Sequence, residues 1–352
     1  MVSPQIIGTV LQKAVEVATH SWEYGTVAEA LLEWNDPKLS IWNDPFPGGK
    51  VPKLDVGSVR ALEYVRPFIK TTGNTLVDGD AAGDPPALGI PALLIGKSNQ
   101  TYWDAAIRQQ QHLVKDVPRW PNGAISHREA YPELWADFVY MVPPFLAYTG
   151  VATSSLPLLQ EAFQQCKHYH SALSQPSGSW RHIIGTSSNK DAALWSTGNA
   201  WAAAGLSRVL ATFQKSPWSS QTTVEQTQLT TYIKQILDGA IAFDTDSSGL
   251  LRNYLDDASW WGEISGTALL AATALRMARL DAAAFGRGKY VDWAEKKMRV
   301  VEGRIEQATG VVKPAVNPLD WKDRKQFNTG SPEGQAFVVL LEAAWRDWKG
   351  GV

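Results

Sequence analysis

The segment from His127 to Ala147 contains the side chains best suited to proton transfer. Asp137 opens an apolar run within it, with Trp135 before it and Tyr140 after it. The dipole of a helix favours a carboxylate in the first turn, where such a group is often only an N-cap. Aromatic neighbours exclude water, however, and this raises a carboxyl pKa and suits a proton donor. The segment therefore predicts either a structural cap or an acid catalyst at Asp137.

A second carboxyl group, Asp84, stands immediately before another apolar helix, between Gly83 and Pro85. Enzymes that cleave glycosidic bonds generally use two carboxyl groups with complementary roles. Asp84 and Asp137 are therefore the candidate catalytic pair. Capping of the helix that follows Pro85 is the competing role for Asp84.

Aromatic and amide side chains gather in a third segment, between Trp180 and Trp201. His182 lies near its start, and Trp195 and Trp201 flank Asn199 at the opening of a helix of small residues. Indole faces stack on sugar rings, and amides bond to hydroxyl groups. The pattern also suits tight helix packing, and both roles are compatible if Trp201 is core while Trp195 and Asn199 face a cleft.

Apolar spacing indicates helices along almost the whole chain, as in the runs 201–213, 229–237 and 337–345, whereas strand-like alternation is scarce. Small or polar residues that open such helices recur at a coarse period, at Gly25, Gly89, Asp137, Gly198, Gly266 and Gly334. Units of about 60 residues hold two helices each. The period predicts an all-α fold, an (α/α)6 barrel of six helical hairpins, as a single domain over residues 1–352.

Long loops rich in Gly, Pro, Asn, Asp and Trp connect these helices, at 42–47, 78–86, 120–127, 177–191, 244–261 and 316–332. Loops of this length are usually functional. In a ring of hairpins, the loops that precede inner helices meet at one mouth. We therefore expect the functional site at this mouth. The alternative is that these segments are only variable surface loops.

Composition excludes several classes of protein. With 44% hydrophobic and 19% charged residues, the chain is a folded protein. Its 33 basic and 35 acidic residues give a net charge of -2. This excludes a broad positive electrostatic field that would bind nucleic acid or anionic lipid. The single cysteine, Cys166, excludes an intramolecular disulfide.

Motifs for nucleotides, serine hydrolases and zinc proteases are absent from the sequence. We therefore expect no cofactor and no metal. Met1 to Ala18 lacks the pattern of a signal peptide, and no apolar run approaches the roughly 20 residues needed to span a bilayer. The expected protein is cytoplasmic, or secreted with its leader already removed, and is a monomer or a weak homo-oligomer.

The three segments together resemble the unsaturated uronyl hydrolases of glycoside hydrolase families 105 and 88, which belong to the six-hairpin glycosidases. The family 105 pattern is a His, then Tyr-Pro, then Trp-x-Asp-x-x-Tyr-Met, and it is matched by His127, Tyr131-Pro132, Trp135, Asp137 and Tyr140-Met141. A later element of the family is similar to Trp195–Trp201, and Ser265–Ala268 resembles its penultimate inner helix.

The resemblance implies an (α/α)6 barrel that acts on oligosaccharides without a metal. Their non-reducing end carries a 4,5-unsaturated uronic acid of glucuronyl or rhamnogalacturonyl type. Asp137 would protonate C4 and then assist addition of water at C5, with Asp84 as its partner. The predicted substrate-binding residues are His127, Trp135, Tyr140, His182, Trp195, Asn199 and Trp201, and the resemblance places His127 and His182 near the bound uronate.

Two alternatives keep the same barrel. One is an inverting hydrolase of a saturated glycoside that uses the same acid pair, and the other is a glycan-binding barrel without catalysis. One departure from the family bears on the choice: Thr197 stands where family 105 members often have an Arg that would bind the substrate carboxylate. Candidate replacements are Arg119, Arg181 and Arg252, and Glu263 and Glu333 are candidate extra acids.

Overall fold

A computed structural model describes residues 2–350 of the chain. Thirteen α-helices lie in these residues: α1 (Pro4–Val17), α2 (Ser21–Asn35), α3 (Arg60–Val65), α4 (Gly89–Gly96), α5 (Gln100–Lys115), α6 (Phe138–Ala152), α7 (Leu156–Leu173), α8 (Ser196–Lys215), α9 (Thr223–Ala242), α10 (Ile264–Leu280), α11 (Ala282–Phe285), α12 (Lys289–Glu302) and α13 (Pro332–Trp348). Four short strands form two antiparallel pairs, β1 (Glu133–Trp135) with β2 (Ile183–Gly185) and β3 (Leu251–Arg252) with β4 (Gly262–Glu263).

Six helices form a closed inner ring. Helix α2 contacts the 3-10 turn Pro85–Leu88 that leads into α4, which contacts α6; the ring continues through α8 and α10 to α13, and α13 returns to α2. Each inner helix carries an outer partner, and these partners are α3, α5, α7, α9, α12 and α1 in the same order. The predicted all-α (α/α)6 barrel is confirmed.

The sixth helix pair differs from a simple hairpin. Helix α13 pairs with α1, so the two ends of the described chain close the ring together. The short helix α11 is an addition between α10 and α12. Closure by both ends supports the predicted single domain, which stays a prediction. Met1, Gly351 and Val352, which that prediction includes, lie outside the described residues.

Local signals place the start of α13, the last inner helix. Ser331 accepts a hydrogen bond from the Gly334 amide at 3.3 Å, and Pro332 occupies the first turn, where no intrahelical amide bond is lost. The side chain of Glu333, in the same turn, is thus not needed for capping. It remains available for other contacts.

The loop 42–47 does not join the others at the mouth that precedes the inner helices. The Trp42 indole donates to Glu33, near the end of α2, and lies against the guanidinium of Arg276 at 5.0 Å. This loop follows an inner helix instead of preceding one, so it packs at the opposite end of the ring. Its predicted place near the site was wrong.

No helix among residues 2–350 combines the length and the apolar composition that crossing a bilayer requires.

Close contact between inner helices depends on small residues. A Cβ atom on Gly205 of α8 would lie 2.1 Å from the carbonyl oxygen of Val139 in α6. No real Cβ approaches an oxygen that closely, so the two helix backbones touch because residue 205 has no side chain.

Replacing Gly205 with Ala should therefore force α6 and α8 apart and lower the free energy of unfolding by about 1–3 kcal/mol. The matched control is Gly8→Ala in α1, where no described atom lies within 4 Å of the added carbon. That change should raise the free energy of unfolding by up to about 1 kcal/mol, because alanine favours helix. Urea denaturation measures both, and equal stabilities for Gly205→Ala and the wild type would contradict the predicted packing.

Candidate active site

A cavity of about 370 Å³ lies at the mouth where the loops before the inner helices meet. The cavity is lined by Trp22, Asp84, His127, Asp137, Met141, Trp195, Trp201, Pro318, Trp321 and Glu333. Three carboxyl groups and four indoles thus meet in one cavity.

The β1–β2 pair positions Asp137. Trp135 lies opposite Ile183 in this ladder, and the Ala136 amide donates to the His182 carbonyl at 2.9 Å. The pairing brings Asp137, two residues beyond Trp135, against the imidazole of His182. The distance from Asp137 Oδ1 to His182 Nε2 is 3.5 Å.

Neither carboxyl of the predicted pair caps a helix within the described structure. Asp137 precedes α6 but receives no amide bond from it, and its Oδ1 has no hydrogen-bond partner among residues 2–350. Asp84 likewise accepts no capping bond from the described turn Pro85–Leu88, and its Oδ1 lies 3.7 Å from His127 Nε2. Their side chains are 13% and 19% exposed. Both carboxyls are therefore available to a ligand.

His127 is a buried, neutral imidazole. It stacks on Trp135 with ring centroids 4.6 Å apart, and a Cβ at Gly83 would lie 2.3 Å from its Nδ1, so only glycine fits beside it. Burial lowers the pKa of His127 to about 3, although the charge of Asp137 opposes that effect. The neutral ring can donate one hydrogen bond and accept another.

His182 lies between two carboxyl groups. Its Nδ1 is 3.1 Å from Asp191 Oδ2, while its Nε2 faces Asp137. Burial favours the neutral ring, but the two carboxylates outweigh it and raise the pKa of His182. Asp191 also accepts bonds from the Tyr254 hydroxyl at 2.6 Å and the Trp321 indole at 3.1 Å. Burial works against its charge, but the bond from His182 and the other donors hold the pKa of Asp191 below its usual value. An ionised Asp191 therefore orients His182 toward Asp137.

Asp84 retains a proton near neutral pH. Burial, together with the charges of Asp137 and Asp80, raises the pKa of Asp84 to about 7, although Arg128 opposes the shift. Two neighbouring carboxyls in a site with little water resist double ionisation. The Asp84–Asp137 pair therefore carries a proton up to about pH 7.

The predicted aromatic residues divide into two groups. Trp195 and Trp201 line the cavity, and Trp201 is only 1% exposed, so it is both core and cavity wall. Trp135 stands behind the cavity, between the rings of His127 and His182. It positions the two imidazoles.

Tyr140 and Asn199 do not line the cavity. The Tyr140 hydroxyl donates to Glu29 at 2.7 Å, one turn further into the barrel. The Asn199 amide donates to the carbonyls of Trp180 and Trp195, both at 2.9 Å, and accepts from the Trp180 amide at 2.7 Å. These bonds use the polar atoms of both side chains. We therefore no longer propose that either side chain binds substrate directly.

The proposed replacements for the missing Arg lie elsewhere. Arg119 donates to the carbonyls of Val114 and Gly123, Arg252 pairs with Asp246, and Arg181 is not among the cavity residues. Within residues 2–350, no Lys or Arg lines the cavity. The expectation that one of these three arginines binds the substrate carboxylate in the cavity was therefore wrong.

The two extra acids have different roles. Glu263 caps α10, because it accepts bonds from the amides of Ser265 and Gly266, both at 2.6 Å. The Thr197 hydroxyl also donates to it, at 3.4 Å. Glu333 lines the cavity beside Asp84 and Asp137. Across residues 2–350, no group of three or more His, Cys, Asp and Glu side chains is arranged to hold a metal ion.

Sequence reasoning missed Trp22, Trp321 and Tyr254. Trp321 lies in the loop 316–332, which its length marks as functional, but the pairing with Asp191 joins residues 130 positions apart. Asp191 lies inside the third segment, yet nothing in its spacing reveals that it contacts His182.

The family model for glycosyl hydrolase family 88 matches residues 61–317 of this chain. The chain belongs to this family. It is therefore a glycoside hydrolase, and the predicted membership of the family 88 and 105 group is confirmed. Comparison with curated protein sequences gives no match.

Solved structures of this group share the fold. A possible family 105 member from Salmonella enterica serovar Paratyphi A has 17% identity and a TM-score of 0.77, over 100% of this chain and 96% of that one. A possible family 105 member from Klebsiella pneumoniae has 16% identity and a TM-score of 0.75, over 100% and 95% of the two chains. The unsaturated glucuronyl hydrolase from Bacillus sp. GL1 has 15% identity and a TM-score of 0.67, over 98% and 97%.

The contrast between the two histidines of this family 88 hydrolase can be measured. His182 should titrate above the usual pKa of 6.5, whereas His127 should remain neutral down to about pH 3. Asp191→Asn should lower the pKa of His182, because it removes one of the two carboxylates. Ring-nitrogen NMR spectra recorded across pH give both values, and an unchanged His182 pKa in Asp191→Asn would contradict the pairing.

Proposed function

We propose that this family 88 hydrolase removes a 4,5-unsaturated uronic acid from the non-reducing end of lyase-generated oligosaccharides by hydrating the vinyl ether. The supporting observation is the pair Asp84 and Asp137, two uncapped and mostly buried carboxyls that face one cavity and each lie beside a histidine. The proton that this pair holds up to about pH 7 suits transfer to a substrate carbon. The unsaturated glucuronyl hydrolase from Bacillus sp. GL1 shares the fold.

The proposed reaction begins with proton transfer. Asp137 transfers the proton that it shares with Asp84 to C4 of the double bond, and positive charge develops at C5, where the ring oxygen shares it. Asp137, now ionised, takes a proton from a water molecule whose oxygen bonds to C5. The resulting hemiketal opens and releases the remaining oligosaccharide. His182, held by Asp191, stabilises the ionised form of Asp137 during these steps.

The walls of the cavity support recognition of a sugar ring. Trp195, Trp201 and Trp321 offer indole surface next to the acid pair. Flat aromatic faces of this kind suit stacking on a sugar.

Asp137→Asn should reduce turnover by about 10²- to 10⁴-fold, because the amide cannot donate an acidic proton. The assay incubates the protein with lyase-generated uronides and follows the ultraviolet absorbance of the conjugated double bond. Asp104→Asn, an exposed change on α5, is the matched control and should leave turnover unchanged. Wild-type protein that consumes no unsaturated glucuronide or galacturonide would contradict the proposal.

A saturated glycoside hydrolysed with inversion is the second candidate, and the absence of Lys and Arg among the described cavity residues favours it. Running the reaction in heavy water distinguishes the two candidate reactions. Hydration places one solvent deuterium on C4, whereas direct hydrolysis leaves every carbon unlabelled. Mass spectrometry of the released sugar shows which occurs.

Turnover should decline as pH rises through about 7, because the acid pair then loses its proton. Deprotonation of His182 would also lower turnover as pH rises. The variant Asp191→Asn distinguishes titration of His182 from titration of the acid pair. That variant lowers the pKa of His182 and leaves Asp84 and Asp137 in place. An alkaline limb at the same pH in both proteins would assign it to the acid pair, whereas constant turnover from pH 6 to 9 would contradict the assignment.

A further inference from the structure

Glu333 is a third carboxyl in the cavity, and the proposed reaction does not use it. Its side chain is 3% exposed. Its Oε1 accepts a bond from the Trp22 indole at 3.1 Å, but its Oε2 has no partner among residues 2–350. A buried carboxyl oxygen without a partner is costly. Because Ser331 caps α13, helix formation does not explain why Glu333 is there.

The charged groups that act most strongly on Glu333 are all acidic. Glu23 approaches from α2, Asp137 from the residue before α6, and Glu263 from the residue before α10. Within the described part of the chain, no Lys, Arg or His forms an ion pair with it. Burial and these carboxylates raise the pKa of Glu333 well above its usual value, and the bond from Trp22 opposes them only in part. The side chain is therefore a neutral acid whose O–H can serve as a donor.

An anionic sugar needs a donor in this cavity. The indole N–H groups of Trp22, Trp195 and Trp321 already donate to Glu333, Asn253 and Asp191. Lys and Arg are absent from the described lining. A protonated carboxyl can donate to a carboxylate through a short, charge-assisted O–H···O⁻ bond.

We propose that Glu333 is a substrate-binding residue whose neutral carboxyl group donates a hydrogen bond to the carboxylate of the bound uronic acid. This inference rests on the proposed function for the identity of the sugar. Recognition of the uronate should then weaken as Glu333 ionises, while contacts with the hydroxyl groups of the sugar persist.

Calorimetric binding of glucuronate tests this role, because the saturated sugar is not consumed. At pH 6, Glu333→Gln should bind it within about threefold of the wild type, since an amide still donates. Glu333→Ala should bind it about 10- to 100-fold more weakly, as expected for a lost bond to a charged group. Glucose, which lacks the carboxylate, should bind all three proteins equally.

The pH dependence provides a second readout. Ionisation of Asp84 weakens glucuronate binding in every variant as pH rises. The wild type should lose more affinity between pH 6 and 9 than Glu333→Gln, because only the wild type also loses its donor. Glu342→Gln is the matched control: Glu342 is another buried carboxyl of α13, lies outside the cavity, and has a pKa that burial raises to about 7. It should behave like the wild type.

Three results would overturn the inference: no glucuronate binding by the wild type, wild-type affinity in Glu333→Ala, or the same pH dependence in Glu333→Gln and the wild type. If Glu333→Ala does not fold, the comparison of Glu333→Gln with the wild type still tests the inference.

Hydration activity is a separate measurement. Loss of glucuronate binding in Glu333→Ala without any wild-type hydration would disprove only the proposed reaction, whereas hydration with normal binding in Glu333→Ala would disprove only the role of Glu333.

Discussion

The site depends on keeping protons on carboxyl groups that water would otherwise ionise. Asp84, Asp137 and Glu333 face one cavity, and burial is the largest cause of the raised pKa of both Asp84 and Glu333. Each carboxylate also makes ionisation of its neighbours harder. The surrounding structure must therefore exclude water while it holds the acids close together. A closed ring of helices, with indoles around its mouth, does both.

The ring also explains why the acids lie at helix starts. The first residue of an inner helix is fixed by two neighbouring helices and by the loop before it. Asp137 immediately precedes α6, Glu333 is the second residue of α13, and Asp84 precedes the turn into α4. Capping is left to Ser331 at α13, while Asp84 and Asp137 accept no capping bond from the described amides. Residues that would ordinarily stabilise helix ends are thus free for chemistry.

Much of this could be predicted from the sequence. The period of glycine and aspartate anchors predicted the ring, since all six anchors lie on inner helices or immediately before one. The predictions that failed concern how deep a side chain lies in the barrel and which residues, distant in the sequence, it contacts. Tyr140 is one turn beyond Asp137, which places its hydroxyl next to Glu29 inside the barrel. Asn199 lies in the first turn of α8, but the backbone of Trp180 and Trp195 uses its amide. The spacing of residues along a helix predicts the direction in which a side chain points. Which groups that side chain contacts depends on the neighbouring elements of the fold.

Thr197 and Glu333 are best understood together. Thr197 is fully buried and donates to Glu263, the cap of α10, so position 197 links two inner helices. An arginine at this position would add a permanent positive charge next to the acids and would lower their pKa values. With threonine there, burial acts without opposition from that charge, and the carboxyls keep their protons more readily. The absence of a cation at position 197 and the presence of neutral acids are then two aspects of one electrostatic arrangement. In the functions that we propose, the retained protons provide both the catalytic acid and the donor for an anionic substrate.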